Sequence, residues 1–286
     1  MEQSPDGSII SGKLLSESGI EYSIQNGIPL LFPRIIENNK EQSNNDPIYE
    51  RVTKPYDDYL VEHGIDASKI AQMDSLRYAI YKLGDEAITK HCHGLVLDLG
   101  AGRDHLKKQY SIFSTYWISL DYDTRSETID VNGDGQLLPF KDNLFDTVIS
   151  IDVLEHVADP SKFISEIYRV LKPNGKVILS TPFFFWLHEE PHDYFRFSRY
   201  GLKTIFDINN FKVIDIKPTA GIISMMGFLI SVLFVKLLKY SKYLTLMFYF
   251  INKAVQINIF YPIDKIIDKR KRFAQGHFII AEKINL

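Results

Sequence analysis

The chain has 286 residues, of which 45% are hydrophobic and 24% charged, enough for one sizeable α/β domain with additions or for two small domains. A formal net charge of -3 gives no general attraction to a nucleic-acid backbone, so we expect no nucleic-acid partner. The single cysteine, Cys92, excludes an intramolecular disulfide and a metal site made of cysteines alone. Because residues 1–6 lack a basic start and an apolar core, we expect no signal peptide and a cytoplasmic location.

The N-terminal third of the chain precedes the alternating strand and helix patterns. Short apolar runs separated by Ser-Gly and Asn-Gly turns predict a small β module over residues 1–36. Residues 37–46 are polar and aperiodic, which is typical of a linker. Apolar residues near helical spacing then predict a helical lead-in over 47–93.

From residue 94 onward, strand and helix patterns alternate. Asp159 and Pro160 favour the start of an amphipathic helix before Pro173-Asn174-Gly175, and another helix is predicted over 199–208. This alternation predicts a parallel sheet covered by helices, that is, an α/β, doubly wound, seven-stranded domain over 94–286. Its predicted strands are 94–99, 115–120, 127–131, 145–151, 175–181, 211–217 and 277–281.

An apolar insert over 219–263 lies between the last two predicted strands. The stretch from Ile216 to Ile263 contains lysines but no acidic residue, and its apolar runs are shorter than the roughly 20 residues of a spanning helix. This composition favours peripheral contact with the inner face of the cell membrane. A buried helical cover or a subunit interface with lysines at its rim is the alternative.

The run Val96–Leu99 leads into a glycine turn, Gly100-Ala101-Gly102, which is typical of a nucleoside-cofactor site. Asp98 lies just before this turn. Asp121 ends the next apolar run, where it can accept hydrogen bonds from both ribose hydroxyls. An NAD fingerprint needs a third glycine, and that position holds His105, which weakens the NAD interpretation.

Two later loops carry further polar groups. Asp134 could accept the exocyclic amine of an adenine, while Leu137 or Leu138 packs on the ring. The strand predicted over 145–151 runs into an acidic, histidine-bearing loop, Asp152-Val153-Leu154-Glu155-His156.

Taken in chain order, these segments resemble the class I S-adenosylmethionine-dependent methyltransferases. Within that class they resemble the type 11-like branch, which has an LPF-type loop, an EHV-type turn and an LKPNG-type helix end. The resemblance covers about residues 94–218 and implies a Rossmann-like fold with S-adenosyl-L-methionine as the cofactor. It places Asp98 near the ammonium of the methionine part, which passes over the glycines. The residues expected at the cofactor are Asp98, Gly100, Ala101, Gly102, Asp121, Tyr122, Asp134, Gly135, Gln136, Asp152 and His156.

The segment 181–197 is the candidate acceptor site, because it follows a strand at the carboxyl edge of the predicted sheet. His192 with Asp193 could form a general base and its orienting group, and His188 is a second candidate. For substrate binding, Arg196 could hold an acidic group, and an apolar slot could be lined by Phe184, Trp186 and Tyr194. A packed lid is the structural alternative. The branch carries a similar HDYFRF-type segment, which supports a position at the pocket.

The segment Glu21–Pro33 resembles the end of the zinc-ribbon modules that activate or precede some methyltransferases. Such ribbons use paired cysteines, and no cysteine precedes Cys92, so we expect no metal here or elsewhere in the chain.

The expected function is therefore methyl transfer from S-adenosylmethionine to an oxygen or nitrogen of a small or lipid- or saccharide-linked acceptor at the cytoplasmic membrane face. The alternatives are an NAD-linked oxidoreductase on a similar sheet and a non-catalytic binding module that retains the fold. The oligomeric state stays open.

Overall fold

A computed structural model describes residues 2–3, 9–15, 21–25, 28–30, 75–102, 105–123, 129–238, 247, 251–252, 254–268 and 272–284. The strands are β1 Glu2–Gln3, β2 Ile9–Leu15, β3 Glu21–Gln25, β4 Ile28–Leu30, β5 Leu95–Leu99, β6 Tyr116–Asp121, β7 Val131–Asn132, β8 Phe145–Ile151, β9 Leu171–Pro182, β10 Phe211–Pro218 and β11 Gly276–Lys283. The α-helices are α1 Ser75–His91, α2 His105–Tyr110, α3 Pro160–Val170, α4 Arg199–Ile208, α5 Ile222–Leu238 and α6 Tyr261–Ile267.

The strands form one sheet in the order β1-β2-β3-β4-β7-β6-β5-β8-β9-β11-β10. Seven of them, from β7 to β10 in this order, form the predicted Rossmann-like sheet with helices on both faces. The expectation of a purely parallel sheet was wrong, because β11 lies between β9 and β10 and runs antiparallel to both. The apolar pattern of a buried strand is the same in either direction, so the sequence did not indicate this reversal.

The N-terminal strands extend this sheet at its other edge. Strands β1 to β4 pair antiparallel with their chain neighbours, and β4 pairs parallel with β7 through Leu30 and Asn132. The predicted linker 37–46 and the lead-in as far as residue 74 lie outside the described residues. The domain boundaries given above stay predictions.

The two faces of the sheet are covered by different helices. Leu97 and Leu99 of β5 pack with buried residues of α3, whereas the preceding Val96, on the other face, packs with α1 at Ile88. This period of two is the strand pattern expected for a sheet buried on both faces. Helix α3 buries its predicted apolar stripe, and the Asp159 carboxylate caps its first turn by accepting the Lys162 N–H at 3.0 Å.

Two strands begin four residues away from their predicted starts. β9 begins at Leu171 rather than at residue 175, because the chain pairs with Phe145 of β8 as soon as α3 ends. The strand predicted over 127–131 is observed as Val131–Asn132, and residues 127–128 lie outside the described residues.

The apolar insert is helical where it is described. Its first helix, α5, is capped by a residue distant in sequence: the buried Asp264 carboxylate accepts backbone N–H groups of Gly221, Ile223 and Ser224 at 2.6, 2.9 and 3.3 Å. Phe228 of α5 is buried in the same small cluster as Ala79 of α1. Among the described helices, none is both long and apolar enough to cross a membrane.

Candidate functional site

The glycine turn after β5 is held to the neighbouring strand. The backbone N–H groups of Gly100 and Ala101 donate to the Leu120 carbonyl oxygen at 2.8 and 3.1 Å. Gly100 has φ +80°, and a Cβ there would lie 2.2 Å from a methyl group of Val153. Gly102 has φ +55°, and a Cβ there would meet nothing within 4 Å. The turn therefore needs glycine at both positions and leaves open space beside Gly102, where a ligand can approach the backbone.

The carboxylate of Asp121, at the end of β6, orders this turn. Its Oδ2 accepts the Gly102 N–H at 2.7 Å, and its Oδ1 accepts the Asp123 N–H at 2.7 Å. Asp98 is 1% exposed within β5, and Tyr122 is largely exposed beyond β6. The predicted residues Asp98, Gly100, Gly102, Asp121 and Tyr122 thus lie at one edge of the sheet, after neighbouring strands.

The loop after β7 is also ordered by a carboxylate. Oδ1 of Asp134 accepts the Gln136 N–H at 2.8 Å, which is an Asx turn, and the Gln136 side-chain oxygen accepts the Asp159 N–H at 3.0 Å. A Cβ on Gly135 would lie 2.3 Å from the Phe163 ring, so the glycine is required by packing against α3. The contact of Asp134 with an adenine amine stays a prediction.

The structure distinguishes the two leucines that follow. Leu138 is buried in the core, whereas Leu137 is 54% exposed. Of the two candidates for packing on an adenine ring, only Leu137 is accessible.

Asp152 follows β8 with φ 54°, a conformation that non-glycine residues rarely adopt. The Ser180 hydroxyl donates to Asp152 Oδ1 at 2.7 Å, which joins the ends of β8 and β9. Burial raises the pKa of Asp152 above its usual value. Ser180 was not singled out from the sequence, because a lone serine in an apolar strand carries no signal of this contact.

The turn Leu154–His156 meets the loop that follows β9. The Glu155 side chain is fully buried, and its Oε1 lies 3.7 Å from His156 Nε2 and 3.8 Å from His188 Nε2. Burial raises the pKa of Glu155 well above its usual value, and the nearby Asp152 carboxylate raises it further. Burial lowers the pKa of His188, and so does the neighbouring His156. Glu155 was missing from the predicted site residues, although it lies between two of them in the EHV-type turn.

The predicted pairing of His192 with Asp193 is not formed. The Asp193 carboxylate instead binds the Arg196 guanidinium, accepts the His188 N–H at 2.9 Å and lies 3.3 Å from His188 Nδ1. His192 Nδ1 lies 2.9 Å from the Tyr194 hydroxyl. His188, the second candidate, is therefore the histidine that a carboxylate orients. Burial acts to raise the pKa of Asp193, but hydrogen bonds from Arg196 and from the His188 backbone bring it below its usual value.

Arg196 makes its contacts within this loop. Besides Asp193, its guanidinium donates to the carbonyl oxygens of Phe185, Phe195 and Trp186 at 3.3, 2.9 and 2.8 Å. These bonds use each of its N–H donors. Arg196 thus shapes the loop, and its contact with an acidic substrate group stays a prediction.

The aromatic candidates differ in exposure. Trp186 stacks on Phe228 of α5 with ring centroids 5.2 Å apart, so it joins the loop to the insert. Phe184 and Tyr194 are 51% and 47% exposed and remain accessible to a substrate.

Comparison with known proteins agrees with this geometry. Residues 97–179 match the sequence model of a methyltransferase domain. A probable S-adenosylmethionine-dependent methyltransferase of Mycolicibacterium smegmatis is 32% identical over 107 residues, which are 34% of this chain and 42% of the relative. The ubiquinone/menaquinone biosynthesis C-methyltransferase UbiE of Ruegeria sp. is 34% identical over 90 residues, which are 31% of each protein. The chain thus spans less than half the length of these two relatives.

Among solved structures, phosphoethanolamine N-methyltransferase 2 of Haemonchus contortus, in complex with S-adenosyl-L-methionine, aligns with a TM-score of 0.47 and 20% identity over 71% of this chain and 53% of that chain. The resemblance of the N-terminus to a zinc ribbon stays a prediction. The family match falls on β5 to β9, the strands that carry the glycine turn and the site carboxylates. Residues 97–179 of this chain therefore match a methyltransferase domain, and one protein similar to the chain is a probable S-adenosylmethionine-dependent methyltransferase.

Proposed function

We propose that the protein transfers a methyl group from S-adenosylmethionine to an oxygen or nitrogen atom of a small or lipid- or saccharide-linked acceptor. The observation that carries this proposal is the glycine turn ordered by Asp121, within a domain of the methyltransferase family. The open space beside Gly102 and the exposed Leu137 fit a nucleoside ligand at this edge of the sheet. Asp98 and Asp121 would hold its amino-acid and ribose parts.

When bound, S-adenosylmethionine supplies an electrophilic methyl group on a sulfonium. In the transfer, the carbon–sulfur bond breaks as the acceptor atom bonds to the methyl carbon, and the acceptor loses a proton. This chain contributes orientation and a site from which water is excluded. His188 is suited to receive the proton, because its lowered pKa keeps it neutral near pH 7 and Asp193 orients it. His192 is the second candidate.

The surface of the insert supports the proposal of a lipid-linked acceptor at the cytoplasmic membrane face. Helices α5 and α6 expose large apolar side chains, including Leu229, Ile230, Ile266 and Ile267 at 51%, 48%, 69% and 65%. α5 contacts the loop after β9 through Phe228 and Trp186, so this apolar surface is connected to the candidate acceptor site. Exposed apolar side chains on adjoining helices are typical of an interfacial surface.

Calorimetric titration with S-adenosylhomocysteine and, separately, with NAD tests the cofactor. We expect S-adenosylhomocysteine to bind and NAD not to bind. Asp121→Ala should weaken S-adenosylhomocysteine binding at least tenfold, whereas Asp142→Ala, at an exposed surface carboxylate, should leave it unchanged. Binding of NAD alone would overturn the proposal in favour of an oxidoreductase.

Sedimentation with anionic phospholipid vesicles tests the membrane contact. We expect the protein to sediment with the vesicles, and Leu229→Glu to reduce the bound fraction. Ile112→Glu, at an 81% exposed position in the turn between α2 and β6, is the matched control. Equal binding by both variants would argue against contact through the insert.

A further inference from the structure

The cluster formed by Glu155, His156 and His188 presents three ligand atoms to one point. Their candidate atoms all lie within 4.8 Å of one another. Glu155 has no exposed surface, and its Oε1, which faces both rings, has no hydrogen-bond partner. Its other oxygen lies 3.4 Å from the Thr181 hydroxyl.

The contacts of each histidine's Nδ1 atom decide which ring nitrogen carries the lone pair. His156 Nδ1 is 2.7 Å from the His192 carbonyl oxygen, which can only accept, so this nitrogen carries the proton. His188 Nδ1 lies 3.3 Å from both the Trp186 carbonyl oxygen and Asp193 Oδ2, which are also acceptors. In the neutral rings, each Nε2 therefore directs a lone pair toward the inside of the cluster.

When Glu155 is ionised, its buried oxygen and the two imidazole lone pairs that face it are acceptors without a donor. Such an arrangement is stabilised by a cation at its centre. Histidines that bind metals usually donate the N–H of their other ring nitrogen to a backbone carbonyl or a carboxylate, as both histidines do here.

We propose that Glu155, His156 and His188 bind a divalent transition-metal ion of the Zn²⁺ type, through Glu155 Oε1 and the two Nε2 atoms. Ligands each about 2.1 Å from a tetrahedral ion lie about 3.4 Å apart. The separations of 3.7 and 3.8 Å from Glu155 Oε1 need only a small contraction, and the ligand atoms of the two histidines, which lie within 4.8 Å of each other, must approach by up to about 1.4 Å. Three protein ligands leave a coordination position open for an oxygen donor.

The use of this ion in catalysis rests on the proposed function. With its Nε2 bound to the metal, His188 has no free lone pair, so His192, the second candidate, would receive the acceptor proton. At the open position, a metal ion would bind an acceptor oxygen and lower the pKa of its hydroxyl, which selects oxygen over nitrogen as the methylated atom. Metal binding itself does not depend on methyl transfer and is measured without an acceptor.

The test uses the full chain without a histidine tag, stripped with a chelator and titrated calorimetrically with Zn²⁺, and with Co²⁺ while its visible absorption is recorded. We expect one equivalent to bind. Glu155→Gln, His156→Gln and His188→Gln should each weaken binding at least tenfold and abolish the Co²⁺ spectrum. His192→Gln, which alters a neighbouring histidine that contacts Tyr194 instead, should bind as the unaltered protein does.

Circular dichroism and S-adenosylhomocysteine binding show whether each variant is folded. Should Glu155→Gln fail to fold, the two partly exposed histidine variants decide the outcome. Absence of saturable metal binding, or equal binding by the unaltered protein and the histidine variants, would overturn the metal site. Metal binding without S-adenosylhomocysteine binding would uphold this site and contradict the proposed function, so the two failures are distinguishable.

Discussion

The two halves of the sheet's carboxyl edge use their carboxylates differently. After β6 and β7, Asp121 and Asp134 accept backbone N–H groups of Gly102 and Gln136. After β8 and β9, Glu155 faces two imidazoles, and Asp193 binds a guanidinium. We refer to these as the backbone-bonded half and the side-chain-bonded half.

The two halves therefore suit different tasks, namely the recognition of a cofactor and the exchange of protons or binding of cations. A backbone N–H does not change its charge with pH, so the backbone-bonded half keeps its geometry and suits the recognition of a cofactor. The side-chain-bonded half contains groups that exchange protons or bind cations, which are the properties that an acceptor site needs. Substitutions in the two halves should therefore differ in magnitude and in pH dependence.

The largest effect is expected from Asp193→Ala, in the side-chain-bonded half. The variant leaves the mostly buried Arg196 guanidinium without its carboxylate, which should lower the free energy of unfolding by about 3–5 kcal/mol. Asp207→Ala, which breaks an exposed pair with Lys203, should cost about 0.5 kcal/mol. Urea denaturation measures both. Equally small losses would show that the ion pair does not hold the loop.

A second large effect concerns pH. His277 of β11 is 2% exposed, and burial lowers its pKa to about 4. The unfolded chain takes up a proton on this histidine near pH 6.5, before the folded chain does. The free energy of unfolding is therefore at its full value above that pH and falls by about 3 kcal/mol as the pH decreases toward 4. His277→Gln should remove this part of the dependence. Denaturation of both proteins at pH 7 and pH 4.5 isolates it, since Asp152 and Glu155 titrate in both; identical pH slopes would contradict the prediction.

In the backbone-bonded half, two glycines form a matched pair. Gly100→Ala combines a strained φ with a clash against Val153, so we expect a loss of about 3 kcal/mol. Gly102→Ala has the strain without the clash, and we expect about 1 kcal/mol. Thermal and urea unfolding compare the two, and a larger loss for Gly102→Ala would show that the turn is not packed on Val153.

An effect as small as that of Gly102→Ala should come from Asp134→Ala, which removes the Asx turn with Gln136 and should cost about 1 kcal/mol. Asp134→Asn retains an acceptor oxygen and serves as the control. The loss for Asp134→Ala should be the same at pH 6 as at pH 8, and so should the loss for Asp134→Asn. A loss that varies between these pH values would place Asp134 with the side-chain-bonded half instead.

The sequence predicted that Asp121 and Asp134 follow strands at one edge of the sheet, because strand and turn patterns are local. Their contacts with Gly102 and Gln136 were not predicted, and their contacts with a cofactor stay predictions. Helix α3 and its cap at Asp159 follow from local pattern alone. The pairing of Asp193 with His188 and Arg196, and the approach of Glu155 to His188, depend on how one loop folds back over another turn. Neither spacing nor residue type encodes that path, and adjacency in the chain misleadingly favoured His192 as the partner of Asp193.

The capping of α5 by Asp264 bears on how the insert can vary. Because this one carboxylate holds backbone groups at 221–224, the two ends of the insert are fastened together at the sheet. Lengthening a loop whose ends are already joined costs little entropy, about 0.6 kcal/mol for each doubling. A change in the length of the segment between these ends should therefore add little loop-closure entropy and leave the rest of the sheet in place.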